Sequence, residues 1–287
     1  MDLVSELMAT GFAKVIVLNG SECDYPMLGS ILLALWPYEA EKQPTTRDAW
    51  IHPYYFASQQ AYEAATSVAR KHIDEGVEWR EDIRLKPIFA RLACFSQGRN
   101  TLSYTKEYGS RFHVQILTVR TALPATDHLQ QKDNLLHCGD CHLCEAVCPV
   151  NALEGGIFHR DRCLRNWQIG GQIYPETVRV NMGNRLIGCD ECQRCCPHNK
   201  PPIGETHPGF PVEDILENPK ESAKVLRAHI GATITMANRL LGGACVIAGS
   251  TNRVDLLGSL LPLTESPSNA VAEHASWAAE QLNDIKL

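Results

Sequence analysis

Two short cysteine runs constrain this chain more than any other part of it. Residues 138–149 read Cys138-Gly-Asp-Cys141-His-Leu-Cys144-Glu-Ala-Val-Cys148-Pro149. Residues 189–197 read Cys189-Asp-Glu-Cys192-Gln-Arg-Cys195-Cys196-Pro197. Two-residue gaps let a tight loop wrap three sulfurs around one centre while its backbone N–H groups point at the same centre. A C-x2-C-x2-C-x3-C-P run of this kind binds a [4Fe–4S] cluster, and its last cysteine crosses to a second cluster. The first run therefore requires a partner run, and the second supplies it. The spacing predicts single-electron chemistry.

The first run has the ligand spacing of bacterial ferredoxins. Twelve cysteines would also suit a disulfide scaffold, but C-x2-C clustering without export points to metal in a reducing compartment. Zinc takes four ligands per site and explains neither the third cysteine of the first run nor its Cys-Pro ending. With 287 residues, 44% hydrophobic and 21% charged, the chain is long enough for two domains. A net charge of −6 excludes a surface coated in nucleic-acid-binding charge and leaves room for a local basic face. No apolar stretch reaches the roughly 18 residues of a membrane span; Leu240–Gly249 and Leu256–Leu263 are short and broken by glycine or proline. The N-terminus, Met1-Asp2-Leu3-Val4-Ser5-Glu6, lacks the basic start and apolar core of a signal peptide. A cytoplasmic protein without membrane contact is expected.

The pattern predicts an α+β fold in three parts. Residues 1–135 read as a small α/β domain: a short helix over Met1–Thr10, strands over Lys14–Leu18 and Ser30–Trp36, a long helix from Pro53 to Ile73, a shorter one over Lys86–Cys94, then strands over Thr101–Tyr104 and Arg111–Thr118. Residues 136–202 are the ferredoxin-like two-cluster module, with one helical turn at Cys144–Cys148. Residues 203–287 form a helical tail of HEAT-like texture. It opens with a proline-rich connection over 203–220, followed by helices over Glu221–Ala232, Arg239–Ala248, Asp255–Leu261 and Ala270–Leu282.

Two four-iron cubes need eight thiolates. Cys138, Cys141 and Cys144 serve one cluster and take Cys196, the cysteine before proline in the other run, as fourth ligand. Cys148 crosses to the other cluster and joins Cys189 and Cys192. One ligand is still missing, and spacing offers two: Cys195, which completes a second triplet, and Cys163, in Arg160-Asp161-Arg162-Cys163-Leu164. Adjacent cysteines do not easily serve two clusters, which favours Cys163. Cys23, Cys94 and Cys245 are isolated and read as small core residues.

The segment from Cys138 to Asn199 resembles the epoxyqueuosine reductase family. The features that carry this are the first cysteine run, Arg162-Cys163, the stretch Gly183-Asn184-Arg185-Leu186-Ile187-Gly188-Cys189-Asp190-Glu191-Cys192-Gln193, and Cys196-Pro197-His198-Asn199. The resemblance extends to Lys86-Pro87, Gly98-Arg99-Asn100-Thr101-Leu102, Gly109-Ser110 and the tail Glu273-His274-Ala275-Ser276-Trp277-Ala278, so that it spans about 84–282. It assigns Cys163 as the missing ligand and leaves Cys195 over. It implies a cobalamin beside the clusters, on the side of the 1–135 domain, where Arg99 is a candidate contact; His113, on the predicted strand Arg111–Thr118, either faces a cofactor or is a core or surface residue. It also implies removal of the epoxide oxygen of epoxyqueuosine in tRNA, a step of queuosine biosynthesis. Departures from the family pattern are visible. An ungapped match puts Trp79 where the family has its catalytic aspartate, with Glu78, Glu81 and Asp82 as nearby substitutes. Phe95-Ser96-Gln97-Gly98-Arg99 replaces a Trp-Thr-Gly-Lys stretch, His198 stands where the family has tryptophan, and the N-terminal domain is shorter than expected.

The sequence thus predicts an iron–sulfur oxidoreductase fed by an electron donor such as a ferredoxin or flavodoxin. The alternatives are a non-catalytic two-cluster electron carrier that docks a partner, and a corrinoid-dependent reductase of another substrate. His137 precedes the first ligand, where a hydrogen bond would tune a cluster. Arg160, Arg162, Arg165, Arg179, Arg185, Arg194 and Lys200 concentrate positive charge near the cysteines, suited to a nucleic-acid backbone or to pairing with Asp161, Asp190 and Glu191.

Overall fold

The computed structural model describes residues 2–40, 47–126, 138–201 and 209–285. The chain forms two compact units. The first comprises Met1–Ala40, Tyr54–His142 and Cys196–Pro201; the second comprises Glu41–Pro53, Leu143–Cys195 and Pro202–Leu287. The fold class is α+β, as expected.

The first unit is built on a four-stranded antiparallel sheet in the order Lys14–Asn19, Ser30–Pro37, Phe112–Val119, Val77–Arg80. Both faces of the sheet are covered. Val15, Val17, Leu32, Ala34, Leu117 and Val119 pack with the helices Leu3–Ala9 and Pro53–Lys71. Ile16, Leu18, Ile31, Leu33, Leu35 and Ile116 pack against Ile83, Ile88, Phe89, Leu92 and Phe95. Burial on both faces is why Ser30–Pro37 reads as a continuous apolar run rather than an alternating one. The long helix starts on Pro53, whose missing N–H costs nothing at a first helical position. It lays Ala57, Ala61, Ala65 and Val68 on one face. Small side chains there let the helix lie close to the sheet.

Several boundaries move. The helix expected over Lys86–Cys94 is Leu85–Phe89 only, followed by short-range turns. The strand expected over Thr101–Tyr104 shrinks to Ser103–Tyr104, because Thr101 turns the chain at φ 62°. The strand Val77–Arg80, four residues at the sheet edge, was not anticipated. His137 lies outside the described residues.

The second unit holds a three-stranded sheet in which Arg185–Ile187 runs parallel to Asp48–Ile51, and Phe210–Pro211 pairs antiparallel on its other side. The predicted connection over 203–220 therefore carries structure: Phe210–Pro211 is a strand and Val212–Glu217 a helix. Further helices span Pro219–Ile230, Ala237–Ser250, Leu257–Leu260 and Asn269–Ile285. Leu240–Gly249 is buried throughout. No described helix is long and apolar enough to cross a membrane. Arg253 ties the tail together: it pairs with Glu213 and Asp255 and donates to the Arg47 carbonyl at 3.1 Å. Trp277 reaches back to the cluster segment, where its indole N–H donates to Glu176 at 3.1 Å and the Arg179 guanidinium lies 5.8 Å from its ring.

Close approach of the two longest tail helices depends on Gly249. A Cβ there would stand 2.7 Å from the Trp277 ring and 2.9 Å from the Ala278 backbone. Gly249→Val is expected to destabilise the protein by about 1–3 kcal/mol, read as a lower urea midpoint by far-ultraviolet circular dichroism.

Candidate metal centre

The second unit gathers Cys148, Cys163, Cys189 and Cys192. Burial pushes the Cys192 thiol well above the ordinary thiol range, and charge on Cys189, Cys163, Cys148 and Cys144 pushes it further. Burial likewise drives Cys189 up to about 12 and raises Cys163. Thiolates crowded together in the interior are strongly disfavoured unless a cation compensates them. Bound metal supplies that compensation and deprotonates the thiols outright. Backbone donors already face the sulfurs: Ala152 N–H donates to Cys148 Sγ at 3.1 Å, and the amides of Arg165, Asn166 and Glu191 favour thiolates at Cys163 and Cys189. The donor set fits an iron–sulfur cluster. Among the described residues no three His, Cys, Asp or Glu side chains converge on a single-ion site; the thiols of a four-iron cube stand around its corners instead.

Local structure explains the residues between the cysteines. Cys163 caps the helix Leu164–Gln168, so the orphan N–H groups of its first turn point toward the sulfur. The single helical turn Leu143–Ala146 follows the first loop, as predicted. Asn184 donates to the Asp48 carbonyl at 3.2 Å and accepts from Trp50 N–H at 2.7 Å through its own carbonyl. This aligns the strand Arg185–Ile187 and delivers Gly188-Cys189. Gln168 closes the end of that strand: its amide donates to the Arg185 carbonyl at 2.9 Å and accepts from Gly188 N–H at 2.6 Å. Gln193 meets His52 at 3.0 Å. Cys195 lies in the turn after Glu191–Arg194 and directs its thiol to the Cys192 carbonyl at 3.8 Å.

Cys138, Cys141 and Cys196 belong to the first unit, where the hairpin Ser96–Gln97/Ser103–Tyr104 meets Cys138 and Cys196. Arg99 N–H donates to Cys138 Sγ at 3.3 Å, and the Arg99 guanidinium donates to the Gly139 carbonyl at 2.9 Å. The Tyr104 hydroxyl donates to Cys196 Sγ at 3.4 Å. Cys196 is held in place from below. Asn199 N–H donates to its carbonyl at 3.0 Å, the Asn199 side-chain oxygen accepts from Ser110 N–H at 2.8 Å, and Arg111 donates to the Lys200 carbonyl at 2.5 Å. Gly109 at φ +59° permits this, since a Cβ there would fall 2.1 Å from the Asn199 oxygen. Ser110 belongs to the Gly109-Ser110 stretch noted in the sequence, whereas Tyr104 was not singled out; its nearness to Gly98–Leu102 was the available signal.

His113 sits on the sheet face beneath the long helix, in a directed chain of hydrogen bonds. The Trp79 indole, which can only donate, gives its hydrogen to Gln115 Oε1 at 2.6 Å. The Gln115 amide then donates to His113 Nε2 at 3.0 Å. That leaves the His113 proton on Nδ1, which donates to the Tyr54 oxygen at 2.9 Å. Burial holds His113 down at about 4. The carboxylates nearby are turned outward. Glu78 lies 3.7 Å from Arg80 and 3.9 Å from Arg120, Asp82 pairs with Arg80 at 2.6 Å, and Glu81 is exposed. The hydrogen bond from Arg80 holds Asp82 below the usual carboxylate range.

The arginines near the cysteines are partly committed. Arg185 pairs with Glu191, Arg194 with Asp190 at 2.7 Å and Arg162 with Glu154 at 3.4 Å. Cys23 and Cys245 are buried and Cys94 is half-buried.

Residues 137–199 match the family described as a 4Fe-4S double cluster binding domain. The chain is accordingly a double-cluster iron–sulfur protein. It is 31% identical over 207 residues to epoxyqueuosine reductase of Alicycliphilus denitrificans, a match covering 64% of this chain and 55% of that protein. It is 27% identical over 208 residues to the Escherichia coli enzyme of the same name, covering 68% of this chain and 53% of that protein. In these alignments the chain spans about half the length of the curated relatives. The fold matches a solved epoxyqueuosine reductase bound to an epoxyqueuosine-modified tRNA stem loop with a TM-score of 0.75, at 18% identity, over 98% of this chain and 89% of that one. The chain thus carries a double-cluster domain and is similar to epoxyqueuosine reductases in sequence and in fold.

His113 and His274 are both held at about 4 by burial, below the unfolded value near 6.5. The unfolded chain therefore binds more protons between about pH 6.5 and 4, and stability falls as the pH drops through that window. Urea midpoints measured from pH 7 to 4.5 are expected to fall, with a shallower fall in His113→Gln.

Proposed function

We propose that the chain is an iron–sulfur oxidoreductase that accepts single electrons from a donor of the ferredoxin or flavodoxin type. It passes them through two [4Fe–4S] clusters to a corrinoid that reduces a substrate. The observation that carries this reading is the match of residues 137–199 to a 4Fe-4S double cluster binding domain, within which half-buried Cys148, Cys163 and Cys189 act on the Cys192 thiol. In this reading these four hold one cluster, and Cys138, Cys141, Cys144 and Cys196 hold the other. Residues 1–135 form the corrinoid side, 136–202 the cluster module and 203–287 the helical tail. The names of the relatives supply the substrate, epoxyqueuosine, and the solved complex with a stem loop supplies tRNA as partner.

When bound, a reduced corrinoid supplies the chemistry that removes the epoxide oxygen. The chain's own residues bind, orient and shield. Arg99 and His113 are proposed contacts on that side. His113 has both ring nitrogens engaged by Tyr54 and Gln115, so it offers a polar edge and not a cobalt ligand. Glu78, Glu81 and Asp82 remain the proposed acids, although Asp82, held ionised by Arg80, is poorly suited to release a proton. A second reading, a two-cluster electron carrier, is favoured by the outward carboxylates and by Trp79 turned onto Gln115.

Anaerobically reconstituted protein is expected to hold about eight iron atoms per chain. Cys163→Ser is expected to lose about half of the iron, whereas Cys195→Ser keeps it all; the reverse result would exchange the two roles. Protein supplied with cobalamin and a low-potential reductant is expected to convert an epoxyqueuosine-modified tRNA stem loop, read by mass spectrometry of its nucleosides. Full iron content with no cobalamin uptake would leave the carrier reading standing.

A further inference from the structure

The first unit presents a side-chain hydroxyl to one proposed ligand sulfur. Tyr104 is 1% exposed, and its hydroxyl donates to Cys196 Sγ at 3.4 Å. The same oxygen accepts from the Asn100 amide at 2.8 Å. That acceptance withdraws electron density from the hydroxyl and strengthens its donation onward. The loop is shaped for this. Thr101 at φ 62° turns the hairpin, and Gly98 lets the Tyr104 ring pass where a Cβ would stand 2.7 Å from it. The same loop aims Arg99 N–H at Cys138 Sγ, 3.3 Å away. One hairpin thus gives hydrogen bonds to two sulfurs proposed to hold the same cluster.

We infer that Tyr104 is a positioning and tuning residue that raises the reduction potential of the cluster held by Cys138 and Cys196 relative to the other cluster. This rests on the two-cluster reading above. Reduction adds one electron to the cluster, and part of that charge falls on the ligand sulfurs. A buried hydrogen-bond donor stabilises the electron-richer state, and such bonds are a main determinant of cluster potentials. No proton is transferred; Tyr104 keeps its hydrogen in both states. Phenylalanine fills the same buried space and removes the hydroxyl, which is both the donor to Cys196 and the acceptor from Asn100.

The test is a redox titration of the full reconstituted chain with dithionite as reductant, followed by electron paramagnetic resonance. Iron content is measured first: wild-type protein without about eight irons overturns the two-cluster reading and this inference with it. With clusters present, Tyr104→Phe is expected to move one of the two midpoint potentials to a more negative value and leave the other unchanged. Unchanged potentials at full iron content, or an equal shift in both, overturn the inference while the two-cluster reading stands. If Tyr104→Phe loses iron, 3-fluorotyrosine placed at position 104 keeps the ring and makes the hydroxyl a stronger donor. It is then expected to move the same potential to a more positive value, and no movement overturns the inference.

Discussion

Half-buried thiols that crowd one another set the terms for the rest of this protein. Each wants to stay protonated, because burial and its neighbours' charge both oppose ionisation. Cys192, Cys189 and Cys163 all feel this opposition. A metal cluster reverses it, since iron supplies the positive charge that the interior lacks. The site is therefore worth building only with the cluster in it, and its walls can be read as the means of bringing distant cysteines together.

Those walls are made from polar groups with assigned partners. Asn184, Gln168, Gln193 and His52 fix the backbone that delivers Cys189 and Cys192. Asn199 and Ser110 do the same for Cys196. Buried polar networks of this kind are costly when half-satisfied and rigid when complete. Such rigidity suits an electron-transfer site, where little should move when charge changes. The arginines of the module follow the same economy. Arg185 and Arg194 neutralise Glu191 and Asp190 beside Cys189 and Cys192, which leaves less of the basic face for a nucleic-acid backbone than the sequence suggested.

In the α/β unit the carboxylates of Glu78 and Asp82 pair with arginines, and Glu81 is exposed. Trp79 gives its only hydrogen to Gln115, which fixes the direction of every bond up to Tyr54. His113, held neutral by burial, is part of that chain and not a free base.

The sequence by itself determined the double-cluster domain and most regular elements. Ligand spacing is local, and a chain's ability to wrap a cube depends only on a few residues at a time. The strands Lys14–Asn19 and Phe112–Val119 and the helix Pro53–Lys71 were legible for the same reason: their apolar periodicity is strong over many residues. Val77–Arg80, Asp48–Ile51 and Phe210–Pro211 were not, because two to four residues hold too little pattern and are made strands by their partners. Spacing left the choice between Cys163 and Cys195 open, and the proposal of Cys163 draws on its charge acting on Cys192 together with that of Cys148 and Cys189. Only the tertiary structure decided that Tyr104 meets Cys196 across 92 positions of sequence. Contacts of that separation leave no local signature, since they exist only once the sheet, the hairpin and the returning Cys-Pro segment have packed.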